Sequence, residues 1–177
     1  IAECADDGAL AVLLEGRTDT VPTPKFQLSL LGRFELSGPD GTIELTSKKL
    51  AALLGYLACT APQAHSRDKL MTLLWGSHFD AQARQNLRQA LVRLRRVLGE
   101  IALISTGESI SLQPGVITSD VMRFHALLGD GSREAHNEAI DLYGGPLLPD
   151  ITIPEEAWTE WVDAQRLRLE GLVLDAL

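Results

Sequence analysis

The chain has 177 residues, a formal net charge of −8, and 45% apolar residues, of which few are aromatic. This length suits one ordinary domain or two small ones, and the apolar fraction is sufficient for a buried core. No apolar run approaches the roughly 20 residues of a membrane-spanning helix, so we expect no membrane partner. Cys4 and Cys59 form no CxxC pair and give no disulfide framework, which is typical of a cytoplasmic protein with free thiols.

The charge is distributed unevenly along the chain. Residues 47–100 contain nine Lys or Arg and three Asp or Glu, so this segment carries +6. Residues 1–46 carry −5 and residues 101–177 carry −9. A basic middle between acidic flanks is expected when one part of a protein binds a polyanion and the other parts do not.

The N-terminal third predicts a linker followed by a small sheet. Residues 1–25 end in TDTVPTPK, whose two prolines indicate a leader or linker. Residues 26–44 contain short apolar-polar runs around the turn Gly38-Pro39-Asp40-Gly41. This pattern predicts antiparallel strands that precede any helix.

Three helices and a hairpin follow the predicted sheet. Apolar spacing predicts helices that begin at or just after Ser47, Ser66 and Asp80, each of these residues being an expected N-cap. Two short runs around Gly107 predict a hairpin. From residue 119 onward the pattern is helical, and we expect Pro154 to open the last helix in its first turn.

The third helix, Asp80 to Leu98, has two chemically different faces. An apolar stripe with the spacing of a buried helix face contains Leu87, Leu91, Leu94 and Leu98. The opposite face carries Gln85, Arg88, Gln89, Val92 and Arg96, and Arg93 and Arg95 lie on its flanks. Arginine and glutamine hydrogen-bond base edges, and arginine also neutralises phosphates. Taken alone, the same pattern also fits a surface helix with a solvated basic face.

Enzymatic chemistry is not expected in this chain. The sequence has neither GxxxxGK[ST] nor GxGxxG, and it has no GxSxG. Its four histidines are scattered without metal-ligand spacing, so we expect neither a metal nor another cofactor. The adjacent Glu155 and Glu156 are interpreted as acids at a helix N-terminus rather than as a catalytic pair.

The order of the elements, together with particular motifs, is similar to a known family. LLGRFEL, SKKLAALLGYLA, HSRDKLMTLLWG and ARQNLRQALVRLRRVLG resemble the OmpR-type winged helix of bacterial SARP-like regulators. DLYGGPLLPDI and AWTEWVDAQRLRLEGL resemble the bacterial transcriptional activation domain that follows it. The resemblance implies an α+β winged helix at residues 26–117, with a small antiparallel sheet, three helices and a β-hairpin wing. It implies the start of an all-α, TPR-like region at residues 118–177.

The resemblance also implies the function and its residues. The third helix of such a domain binds the DNA major groove, often on tandem sites, and the helical half mediates self-association or contacts the transcription machinery. By position, the groove-facing residues are Gln85, Arg88, Gln89, Val92, Arg93 and Arg96. Lys48, Lys49, Ser66 and Arg67 lie at helix starts and are expected to hold phosphates. Arg95 is open to a second interpretation, as the partner of an acid in the helical half.

One departure from the family supports an alternative function. The predicted wing reads TGESISLQ, with Glu108 near its tip and no basic residue. An acid close to phosphates is repulsive, which leaves weak DNA contact through Thr106 or Ser109, or no contact of the wing at all. The alternative is a protein–protein interaction module built on a winged helix that has lost DNA binding.

Overall fold

The computed structural model describes residues 24–177. The predicted leader at residues 1–25 therefore lies, apart from its last two residues, outside the described part of the chain, as does Cys4. The strands are β1 (Phe26–Ser29), β2 (Glu35–Gly38), β3 (Gly41–Ile43), β4 (His65–Ser66), β5 (Leu103–Thr106), β6 (Ser109–Leu112) and β7 (Ile117–Ser119). The helices are α1 (Lys48–Thr60), α2 (Arg67–Trp75), α3 (Asp80–Leu98), α4 (Asp120–Asp130), α5 (Arg133–Leu142) and α6 (Glu156–Ala176).

The predicted N-terminal sheet is present and contains one unexpected strand. β1, β2 and β3 pair in antiparallel fashion, and the β2–β3 hairpin turns at Pro39-Asp40. β7 adds to the free edge of β1 in parallel, with Leu28 opposite Ser119. We predicted a helical region from residue 119 and an interruption of regular structure just before it, so β7 was missed. Three residues carry little periodicity of their own, and their pairing is set by a strand that is distant in sequence.

The three helices and the wing have the predicted order and nearly the predicted bounds. Along α3 the leucine stripe is buried, as expected from its spacing. β5 and β6 form the predicted hairpin, with Thr106 opposite Ser109 at its end. The two-residue strand β4 was not predicted, and it extends the wing into a three-stranded sheet by pairing Ser66 with Ser109.

Of the predicted N-caps, the structure confirms Ser66 and corrects Asp80. Ser66 does cap α2, because its Oγ accepts a hydrogen bond from the Lys69 amide at 3.2 Å. The prediction that Asp80 caps α3 is wrong, since the N-cap position is Phe79 and Asp80 lies in the first turn. In that turn the Asp80 carboxylate is still stabilised by the positive end of the helix dipole. Gly99 ends α3 as predicted, with φ +93°, a conformation that favours glycine.

The last helix begins later than predicted. Pro154 precedes α6 instead of opening its first turn, and Glu155 occupies the N-cap position without a side-chain capping bond. The Glu155 side chain is instead turned into the protein, where it is only 3% exposed. A glutamate before a helix ordinarily stays in solvent, so its burial indicates a partner from elsewhere in the fold.

The helical half packs directly on the winged helix. The carboxylate of Asp120, the first residue of α4, accepts hydrogen bonds from the amides of Leu30 and Leu31 at 2.8 to 3.0 Å. The Leu148 amide donates to Leu30 O at 2.8 Å. Gly32 lies against the loop after α5, where a Cβ would lie 2.8 Å from Gly144 O. The motifs LLGRF and GGPLL therefore form one contact.

The predicted fold class is confirmed. A small sheet, three helices and a β-hairpin wing precede an all-helical region, and one buried core runs through both parts. The sheet is antiparallel apart from the added strand β7. Across residues 24–177, none of the helices combines the length and apolarity needed to cross a bilayer.

Candidate nucleic-acid interface

The outer face of α3 is open to solvent. Its six predicted groove-facing residues are all exposed, and Val92 in their middle is 42% exposed. None of the arginines on this face forms a salt bridge with any residue in the range 24–177. The face therefore presents charged and hydrogen-bonding groups that the fold itself does not use. The residues are Gln85, Arg88, Gln89, Val92, Arg93 and Arg96.

One side of this face is bordered by the start of α2 and by the wing. Arg67, Arg84, Arg88 and Glu108 line a shallow groove of about 760 Å³ between α2, α3 and the wing tip. The groove is held in shape by a backbone bond from the Arg67 amide to Glu108 O, at 2.8 Å. Ser66 is exposed next to it, and its Oγ caps α2. Three guanidinium groups thus meet the N-terminal end of a helix, where anions are favoured.

The other side of the face is bordered by the start of α1. Ser47 lines a smaller groove, of about 260 Å³, together with Gln89 and Arg93 of α3. Lys48, at the first position of α1, is exposed. The outer face of α3 is therefore flanked on both sides by helix N-termini. This is the arrangement in which a helix enters a groove while its neighbours contact the backbone phosphates on either side.

Lys49, predicted as a phosphate contact, lines the same groove as Ser47 and Arg93, but its charge is paired within the fold. Its ammonium group donates to Glu155 Oε1 at 2.8 Å, and its side chain is 21% exposed. The same carboxylate accepts from the amide of Ser77 and from its hydroxyl, both at 2.9 Å. Burial alone would raise the pKa of Glu155, but the bonds from Lys49 and Ser77 outweigh it and lower that pKa. The charge of Lys49 is thereby paired within the fold, and its use as a phosphate contact stays a prediction.

Arg95 and the wing complete the surface. The guanidinium of Arg95 donates to Ser105 Oγ of β5 at 2.5 Å, so the interpretation that Arg95 pairs with an acid of the helical half is wrong. Thr106 and Glu108 are exposed at the wing tip, whereas Ser109 is half-buried. The wing therefore offers one hydroxyl and one acid on the side that borders α2.

Sequence reasoning missed two residues that the fold brings to this surface. Arg84 lies one turn before Arg88, and this four-residue spacing places both on the same side of α3. In the fold, Arg84 and Arg88 line one groove together with Arg67. Ser47 was interpreted only as a capping residue, yet its side chain makes no capping bond and lies beside Arg93. The proximity of α1 to α3 was not encoded in any local pattern.

Comparisons with known proteins agree with this geometry. Residues 40–111 match the protein family described as "Transcriptional regulatory protein, C terminal". No curated protein matches the chain by sequence. Among solved structures, Mycobacterium tuberculosis EmbR in complex with a low-affinity phosphopeptide is similar, with a TM-score of 0.68 and 20% identity over 86% of this chain.

The chain spans 43% of the length of the EmbR chain that it matches. The family match lies within the winged helix, from the β2–β3 turn to the wing, and the structural match extends into the helical half. The resemblance to SARP-like regulators is thus confirmed as a resemblance: residues 40–111 match the transcriptional regulatory protein C-terminal family, and the chain has a fold like that of EmbR.

Proposed function

We propose that this chain binds specific sequences of double-stranded DNA and regulates transcription, with α3 lying in the major groove. The observation that carries the proposal is the outer face of α3, where exposed arginines form no salt bridge within residues 24–177 and lie with exposed glutamines between two helix N-termini. The major groove is about 12 Å wide, which admits one α-helix with its side chains.

The residues divide between base reading and phosphate binding. Base edges are read by the exposed polar side chains of α3, and the methyl groups of Val92 contact thymine methyls. Phosphates on one side are held at Lys48, and those on the other side at Ser66 and Arg67. Arg84 joins the second group because it shares the groove of Arg67. The base-reading residues in this proposal are Gln85, Arg88, Gln89, Val92, Arg93 and Arg96.

The finer parts of the proposal rest on the resemblance to SARP-like regulators. Residues 26–117 form the DNA-binding domain, and residues 118–177 begin a helical activation domain. The regulator acts as an activator in the cytoplasm and occupies tandem sites. The helical half mediates self-association or contacts the transcription machinery. Its charge of −8 keeps it away from DNA and favours a protein partner.

Fluorescence anisotropy with a labelled duplex library, followed by selection of a preferred site, tests the proposal. Affinity measured across a salt series should fall with a log–log slope of roughly −3 to −6, as expected for a handful of phosphate contacts. The variant Arg88→Ala/Arg96→Ala should bind the selected site about 100-fold more weakly, because each base contact contributes roughly 1–3 kcal/mol. Its free energy of unfolding should stay within about 0.5 kcal/mol of the parent, since both side chains are exposed.

The matched control removes the same charge elsewhere. Arg123→Ala/Arg133→Ala changes two exposed arginines of α4 and α5 and should leave DNA affinity within about twofold. Equal losses of DNA affinity in both double variants would mean that net charge alone explains the effect of Arg88→Ala/Arg96→Ala. No binding at low salt by the folded protein would contradict DNA binding by this chain.

A second candidate function is favoured by the wing. Glu108 places an acid among Arg67, Arg84 and Arg88, where a phosphate would otherwise lie. A winged helix that has lost DNA binding would instead bind a protein through its helical half, residues 118–177. A folded chain that does not bind DNA, but whose self-association or protein binding persists in the Arg88→Ala/Arg96→Ala variant, would support this alternative.

A further inference from the structure

A cleft lies on the far side of α2 from the DNA-facing groove, where the helical half meets the winged helix. It has a volume of about 780 Å³ and is bounded by α1, α2 and α6. Its walls include Tyr56, Thr60, His65, Lys69, Trp161 and Arg168. Clefts of roughly 300–1,000 Å³ are the usual size of small-molecule sites, and boundaries between structural units are a common place for them.

The cleft is basic although the half of the chain that closes it is strongly acidic. Lys69 of α2 and Arg168 of α6 line it, and no Asp or Glu does so among the residues that the structure describes. Neither cation has a salt-bridge partner within residues 24–177. Residues 118–177 contain twelve acids and four bases, so an acid-free cleft to which they contribute an arginine is a local exception. Such a site favours an anion.

One wall of the cleft is a rigid aromatic surface. Trp161 is half-buried and packs edge-on against Tyr56, with ring centroids 4.8 Å apart and planes inclined by 64°. Its other neighbour is Trp158, at 5.3 Å, which is fully buried. The indole ring is therefore fixed before any ligand arrives, and the exposed part of its surface is suited to stacking on a flat ring.

The remaining polar groups of the cleft are uncharged. Burial, together with the nearby Lys69 ammonium, lowers the pKa of His65, so the imidazole is neutral at physiological pH. Its two ring nitrogens face Tyr56 Oη at 3.4 Å and Thr60 Oγ1 at 2.7 Å. Burial and the carboxylate of Asp120 raise the pKa of Cys59 to about 12, so its thiol stays protonated and does not attack a ligand. Among the residues that the structure describes, Lys69 and Arg168 are thus the two that bring charge to the cleft.

We propose that this cleft is a binding site for a small organic anion that contains an aromatic ring. The ring stacks on Trp161, and the anionic group lies between Lys69 and Arg168. The bound molecule bridges α2 of the winged helix and α6 of the helical half. The proposal goes beyond DNA binding and does not depend on it, because neither cation belongs to the α3 face.

Heteronuclear NMR of the whole chain with 2-naphthoate as the probe tests the site. The chain has three tryptophans and hence three indole N–H signals, of which the Trp161→Phe variant assigns the one in the cleft. Titration should shift the Trp161 signal saturably. The neutral isostere 2-naphthamide should bind at least threefold more weakly, because it lacks the charge that the two cations recognise.

Variants of the two cations distinguish binding at this site from nonspecific binding of an aromatic molecule. Lys69→Gln and Arg168→Gln should each weaken 2-naphthoate binding by roughly threefold to tenfold and leave 2-naphthamide unchanged. Both side chains are exposed, so the variants should fold. Arg133→Gln, on α5, is the control for net charge and should have no effect.

The outcomes distinguish this proposal from the DNA proposal. Absence of a saturable Trp161 shift at millimolar 2-naphthoate would overturn it, as would equal binding of the acid and the amide. Insensitivity to Lys69→Gln/Arg168→Gln would also overturn it. None of these results depends on whether the same protein binds DNA.

Discussion

Two regions of this molecule use basic residues in opposite ways. At the contact between the winged helix and the helical half, Lys49 is largely buried and bound to Glu155, which also accepts two hydrogen bonds from Ser77. On the outer face of α3, Arg88 and Arg96 are exposed and form no salt bridge within the described chain. In the first region charge stabilises the fold, whereas in the second it is available to a ligand.

The difference shows that position near a helix start does not decide what a lysine does. Lys48 and Lys49 are adjacent, and both begin α1. Lys48 points to solvent, while Lys49 lies over the ring of Trp75 at 5.7 Å and reaches the carboxylate of Glu155, just before α6. Glu155 also accepts hydrogen bonds from Ser77, in the loop that precedes α3, so the helical half fixes the start of α3.

The largest expected effect is on the free energy of unfolding, at the buried carboxylate of Glu155. Glu155→Ala should lower the free energy of unfolding by about 3 kcal/mol, because it leaves the Lys49 ammonium and the Ser77 amide without their partner. Urea denaturation measures the change. The neighbouring Glu156→Ala is a matched control, since Glu156 is exposed in the first turn of α6, and it should cost less than about 1 kcal/mol. Equal effects of the two variants would mean that the junction is not specifically stabilised by Glu155.

The second prediction concerns the pH dependence of the same residue. The folded state lowers the pKa of Glu155 below its ordinary value of 4.5. Its contribution to stability is therefore fully present above that pH and is lost as the pH falls through the lowered value. The difference in unfolding free energy between the parent and Glu155→Gln should be constant near neutral pH and shrink in acid. A difference that persists unchanged down to acid unfolding would contradict the ionic role of the carboxylate.

The smallest expected effect lies on the exposed side, at the wing. Glu108 shares a groove with Arg67 and Arg88 and adds an acid where phosphates are proposed to lie. Glu108→Gln should raise DNA affinity by roughly twofold to fivefold at low salt, and the gain should fade as salt screens the charge. Anisotropy titrations at two salt concentrations measure it. Glu138→Gln on α5, far from the proposed interface, is the control. Unchanged affinity would mean that the wing does not approach DNA.

The elements predicted most accurately are those with their own periodicity. α3 has the expected bounds because its leucines repeat with the period of a helix over nineteen residues. The hairpin at residues 103–112 forms as predicted, because two short runs flank one glycine turn. By contrast, β4 and β7 are too short to show a pattern, and each exists only because a distant strand edge receives it.

The candidate interface divides in the same way. The residues of the α3 outer face were predictable, because one helix carries all of them and their exposure follows from the burial of the opposite stripe. Arg84 was not assigned to the surface, although its spacing from Arg88 on the same helix indicated it. The position of Ser47 beside α3 and the pairing of Lys49 with Glu155 were not predictable, because they depend on how α1 and the start of α6 pack in the fold. The uses of those six α3 side chains on DNA, and of Lys48, Ser66 and Arg67, stay predictions.

The sequence by itself determined the order of the elements, the two faces of α3, and the concentration of positive charge between residues 47 and 100. These properties are local, since they depend on spacing within one segment or on composition. The tertiary structure alone decided which cations are free, which acid is buried, and which side chains from α1, α2 and α6 form the cleft around Trp161. Those properties depend on contacts between segments far apart in the chain, and no single segment encodes the partner that it will meet.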